Sequence, residues 1–216
     1  MSLAKLLQLA SPTLPVGAYS YSGGLEAAIE AGAVSDAASA ERWIGDVLEY
    51  SVARMEAPIL HSLIRSFDKN DSSEIQELNE RFLASRETAE LRAETVQMGY
   101  SMKRLFADLG LGEVPLAEPA FPAAYAFAVS QWKIDPDAAL QAYLWAWLEN
   151  QVTAAVKAVP LGQTDGQRIL LSLGSLLPAL AEKAKNMKEQ DTGNFAPGLA
   201  MLSARHETQY SRLFRS

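Results

Sequence analysis

Cysteine is missing from this 216-residue chain, and histidine occurs only at His61 and His206. The first absence excludes disulfides, thiolate nucleophiles and cysteine-based zinc sites together. The second leaves little for metal binding, because a dedicated site takes three or four donors and neither histidine has a second one four residues away. His61, between Leu60 and Ser62 on an amphipathic stretch, reads as a structural or surface histidine. His206, beside Glu207, has no other ligand near it in sequence, so no resident metal or other cofactor is expected. Long apolar runs are also lacking. Residues 138–148 run into Glu149, and residues 169–181 contain Pro178 and run into Glu182. Neither reaches the roughly 20 residues of a membrane span. The opening Met1–Leu9 breaks off at Ser11-Pro12, short of a secretory leader. Neither G-x-x-x-x-G-K-[ST] nor G-x-G-x-x-G occurs, so Gly23-Gly24 reads as a turn and not as a phosphate cradle. A net charge of −7 argues against nucleic acid, which requires clustered Lys and Arg. The expectation is a soluble, cytoplasmic protein that binds neither membrane nor nucleic acid.

What is present is helical. Apolar residues make up 49% of the chain and charged residues 21%, the balance of a globular domain. Alternating strand patterns are nearly absent, whereas 3.6-residue periodicity recurs. Leu25–Glu30 predicts a short helix stopped at Gly32, and Ser35 or Asp36 caps the next, with Trp43, Ile44, Val47, Leu48 and Val52 as its buried stripe. Pro58 interrupts that pattern, and Ile59, Leu60, Leu63, Ile64 and Phe67 resume it as a new helix. Residues 68–72 read as a loop, with Ser73-x-x-Gln76 as a capping box after it. Thr88–Leu109 is a further helical run, and residues 113–122, with three prolines, form a connector. Asp135-Pro136 starts a helix that is apolar on most sides and belongs at the centre. Thr164-x-x-Gln167 caps a last long helix to about Lys188, kinked or divided at Pro178. The whole reads as one all-α domain, a bundle of roughly eight to ten helices around a central apolar helix.

The chemistry that stands out lies in loops and in residues 205–216. Pro15–Ser22 places Tyr19 and Tyr21 among residues that favour neither helix nor strand, either pinning a loop over the core or presenting a rigid contact surface. Glu26 and Glu30, at helical spacing, read as a solvated face. Lys157 is a lone cation ending the apolar helix, there to complement its dipole or to meet a partner. The final segment carries Arg205, His206, Glu207, Tyr210, Arg212, Leu213, Phe214 and Arg215. These are residue types enriched at binding hot spots. It either folds back on residues 1–204 or forms a separate partner-binding tail that is mobile until it meets its target.

The segments 6–27 and 159–168, with this tail, resemble the UreF family of urease accessory proteins along nearly the whole chain, in order. The resemblance implies a non-catalytic homodimer that binds a UreD/UreH-like accessory protein and, through it, a nickel-carrying UreG-like GTPase. The assembly then acts on apo-urease for GTP-dependent nickel insertion. Tyr19 in its aromatic loop, Glu26 in the first turn of a helix and Lys157 on the apolar helix are expected at the GTPase-facing surface, and the tail is expected to meet the UreD/UreH-like partner. Gly23 departs from the family, which often carries glutamine there. An alternative is a GTPase-activating role, with Arg168 or a tail arginine supplied in trans.

Overall fold

The computed structural model describes residues 3–216, and among these every regular element is helical. In chain order the first are α1 (Leu3–Ala10), a 3-10 turn (Ala18–Ser20), α2 (Leu25–Glu30) and α3 (Ala37–Val47). A π-helical stretch (Leu48–Glu56) then leads into α4 (Ala57–Lys69), followed by α5 (Ser72–Ala84) and α6 (Ala89–Asp108). After these come α7 (Phe121–Trp132), α8 (Pro136–Ala158), α9 (Gln163–Gly174), α10 (Leu177–Lys185) and α11 (Pro197–His206). None of the helices is long and apolar enough to cross a membrane.

The core is built around α7, which packs between α4 and α6. Every residue from Pro122 to Ser130 is buried. This helix was not legible in the sequence, because an element apolar on all sides shows no periodic stripe. Its edges interlock through aromatic pairs, Phe67 with Phe127 at 5.7 Å and Tyr125 with Tyr143 at 5.1 Å between centroids. Polar locks fix its start. Asn79 accepts from the Ala120 N–H and donates to the Glu118 carbonyl, and Thr95 accepts from the Phe121 N–H. Gly99 lets α6 approach the connector closely, since a Cβ there would stand 2.0 Å from the Pro119 carbonyl oxygen. The predicted central helix, α8, touches α1, α2, α3, α4, α9 and α10, yet leaves Trp145 exposed on its outer side.

Pro58 does not break the chain as expected. Residues 37–69 stay helical throughout, and the proline falls at the start of α4 after the wider π turn. With no N–H at Pro58, the Arg54 carbonyl lacks its usual helical donor and accepts from Gly193 instead. The Tyr50 carbonyl likewise accepts from Phe195, so the 193–195 loop docks on this stretch. Two cap assignments stand and two change. Asp36 caps α3 and Asp135 caps α8, but α5 is capped by Asp71 and not Ser73, and Gly162, not Thr164, precedes α9. The predicted division near Pro178 falls between Gly174 and Leu177.

Candidate functional site

Pro197 opens α11, whose last turn holds Arg205 and His206, so the irregular part of the tail starts at Glu207. His206 is fully buried between two carboxylates, with Nδ1 2.7 Å from Glu90 and Nε2 3.3 Å from Glu26. Glu90 also pairs with Arg212 at 2.7 Å. Glu26 accepts two consecutive main-chain N–H groups, from Leu213 at 2.6 Å and Phe214 at 2.8 Å. The Arg215 N–H donates to the Ser20 carbonyl, and the Ser22 N–H and hydroxyl both donate to the Ser216 carbonyl. Glu207 accepts from the Ala89 N–H at the start of α6, where a negative charge complements the helix dipole. One apolar anchor, Phe214, completes the seat.

The tail is therefore folded against its own domain and not loose. The physical reason is the pairing of two main-chain amides, one histidine and one arginine of the tail with the carboxylates of Glu26 and Glu90. The buried members of this set contribute about 1.5–3 kcal/mol each, and the exposed Arg212–Glu90 pair no more than about 1 kcal/mol. Glu26 is accordingly no solvated carboxylate but the tail's main anchor.

Behind the seat lies a cavity of about 150 Å³, lined by apolar residues such as Leu9, Val52 and Met98 and by a polar end. There Arg86 pairs with Glu56 at 2.9 Å, and the Tyr143 hydroxyl donates to the other Glu56 oxygen at 2.8 Å. Burial, reinforced by Glu56, holds the Tyr143 phenol well above its ordinary range. Glu94 lines the same space and accepts from the Ser216 hydroxyl at 2.7 Å. Burial pushes its carboxyl up to about 7, with Glu56 and Glu90 adding to the rise and the Ser216 bond and Arg86 opposing it. Among the described residues no group of three or more His, Asp or Glu is placed to hold a metal ion. His61 is half-buried, and burial lowers its pKa.

The sequence-predicted contact residues separate into two sets. His206 and Phe214 face inward, and Glu26 is nearly buried beneath the tail. Tyr19, Lys157, Arg205, Glu207, Tyr210, Arg212, Leu213 and Arg215 stay exposed, with Leu213 63% exposed and Tyr210 fully so. Tyr21, not Tyr19, pins the N-terminal loop, with its hydroxyl toward Arg215 and its carbonyl bonded to Asn150. The 3-10 turn and α2 both pack on α8, so Tyr19 and Glu26 share one backing helix with Lys157. Lys157 lies seven residues past Asn150, about 10 Å along α8. Gly23 takes a left-handed backbone (φ 56°) with the Gln151 amide 3.2 Å from where a Cβ would stand. Sequence reasoning missed Glu90 and Glu94. Their spacing of four on α6 was the available signal, but their partners lie more than a hundred residues away.

Comparison with known proteins matches residues 34–174 to the UreF family. The urease accessory protein UreF of Azoarcus sp. (strain BH72) is 60% identical over 225 aligned residues, covering all of this chain and 96% of that protein. The UreF proteins of Dechloromonas aromatica (strain RCB) and Janthinobacterium sp. (strain Marseille) are 54% and 50% identical, again covering all of this chain and 98% of each of them. A family match over more than half the chain, with relatives of this identity along its whole length, establishes that the chain belongs to the UreF family of urease accessory proteins.

Proposed function

We propose that this accessory protein is an adaptor without chemistry of its own, acting in the cytoplasm. It joins a UreD/UreH-like protein and a UreG-like GTPase to apo-urease, so that GTP hydrolysis drives nickel insertion. Nickel is the cargo of this assembly. The observation that carries the reading is the seated tail. Its anchors face inward while Tyr210 and Leu213 stand in solvent, flanked by Arg205 and Arg212. Aromatic and arginine side chains held in place are what a partner reads at low ordering cost. The surface of Tyr19 and Lys157, backed by α8, is assigned to the GTPase. Self-association is part of the proposal, because Leu171 is 80% exposed on α9 and the neighbouring Trp145 ring lies against Gly174.

The test is reconstitution from the purified partners. Tyr210→Ala/Leu213→Ala should lose the UreD/UreH-like protein, and Lys157→Glu should lose the GTPase while retaining the first partner. Retention of both partners by both variants contradicts the assignment. Single-turnover GTP hydrolysis should not accelerate on adding this protein alone. Acceleration that Arg168→Ala abolishes would instead support an arginine supplied in trans. Light scattering at tens of micromolar should report a dimer.

A further inference from the structure

We propose that the cavity behind the tail's seat is a binding site for a small, neutral molecule with a ring-sized apolar body and one hydroxyl head, such as a phenol. The inference concerns the interior of the domain and does not depend on which partners the tail and Tyr19 meet. The space of about 150 Å³ is walled by α1, the π stretch, α6, α7, α8 and α11, through side chains such as Leu9, Val52, Met98 and Leu199. All four are buried, so this is a gap in the packed interior and not a surface groove. Helices on every side keep the walls apart, and an apolar space left empty costs stability in proportion to its volume. A space of this size and lining takes a molecule about as large as benzene.

The polar end selects the head group. Arg86 and Glu56 neutralise each other there, and the Tyr143 hydroxyl is used on the second Glu56 oxygen. Unused hydrogen-bonding capacity remains beside them. The Arg86 side chain is 7% exposed, and its Nε is buried with no acceptor. Glu94 accepts from Ser216 through one oxygen, and its other oxygen accepts nothing among the described residues. Asn150 donates its amide to the Tyr21 carbonyl and leaves its own side-chain oxygen free. All three residues line the space. A hydroxyl matches this set, because it donates its hydrogen and accepts on its lone pairs. A carboxylate head would meet Glu94, Glu87 and Glu149 on the lining, with Arg86 already paired. An ammonium head donates only and would lie beside the Arg86 guanidinium.

Occupancy bears on the surfaces outside. Tyr19, exposed on the N-terminal loop, and Leu199, buried on α11, both line the space. A molecule held there therefore braces two contact-bearing segments from behind, and it stabilises the fold by mass action.

The experiment is titration of the intact protein with phenol, toluene and benzoate, read by NMR of the methionine and valine methyl groups. Phenol should shift the Met98 and Val52 methyls with a dissociation constant of about 1 mM or lower, the range open to so small a ligand. Toluene is the more apolar molecule and would win in a wholly apolar space, where a hydroxyl goes unpaired. Here it should bind at least threefold more weakly than phenol, and benzoate at least tenfold more weakly. Val52→Phe, which fills the space, should weaken phenol binding at least tenfold. No phenol-induced shift at Met98 and Val52, or toluene or benzoate binding as tightly as phenol, overturns the proposal. A second measurement does not depend on the variant. Intermolecular NOEs should connect the phenol ring to the Met98 and Val52 methyls, and NOEs confined to exposed methyls such as that of Met201 overturn the proposal equally.

Discussion

The bundle around α7 and the seat of the tail are held by different forces. Around α7 nearly every contact is apolar, and the few polar groups, such as Asn79 and Thr95, are satisfied locally. Burial of this kind is nearly indifferent to pH, since it involves no titrating group. The tail has one buried aromatic, Phe214, and otherwise depends on Glu26, Glu90, Glu94 and the groups they accept from. Such contacts are strong only while every partner is in place and in the right protonation state. The first region sets whether the chain folds, and the second sets how its last twelve residues are presented. The two should therefore fail separately.

The largest effect should come from Phe106→Ala, which empties a fully buried site packed on Phe127 and Trp132. A loss of about 3–5 kcal/mol is expected. At roughly 2–4 °C per kcal/mol for a chain of this size, Tm should fall by about 10 °C in calorimetry, with the tail lost only on global unfolding. Next comes Gly99→Ala, which forces α6 away from the Pro119 carbonyl and should cost about 2–3 kcal/mol in denaturant titration. Glu26→Ala should lower Tm much less, while the Leu213 and Phe214 amides lose their protection and trypsin cuts after Arg212 rapidly. If Glu26→Ala instead unfolds the chain as Phe106→Ala does, the two regions are one cooperative unit and the comparison fails. The smallest effect on stability, within about 0.5 kcal/mol, is expected for Tyr210→Ala/Leu213→Ala, since both side chains lie in solvent.

The same contrast explains what could be read from the sequence. Helices with a clear cap, such as α3 with its single apolar stripe behind Asp36 and α8 behind Asp135-Pro136, were legible because their start signals are local. The Ala-rich α7 was not, since burial on every side erases periodicity. Nor was the π stretch, because Pro58 reads as a break unless one knows that Gly193 supplies the missing donor to Arg54. At the site, the residue types of the tail announced contact but not direction. Glu26 looked like a solvated carboxylate because the amides it holds lie 187 and 188 residues further on. Glu94 carried no sequence signal of its setting, as its neighbours Glu56, Arg86 and Ser216 meet only in the fold. Composition identified the segment, whereas long-range hydrogen bonds decided which of its side chains are anchors and which are offered to a partner.

The central claim is that the tail is seated on its own domain and offers Tyr210 and Leu213 as a ready-made contact. Calorimetric titration of the UreD/UreH-like protein with wild type and with Tyr210→Ala/Leu213→Ala tests it most directly, with tail amide protection measured on the same samples. The account predicts affinity lower by at least tenfold in the variant, with Tm and amide protection unchanged. Equal affinity for the two proteins, with the tail still protected, would contradict it.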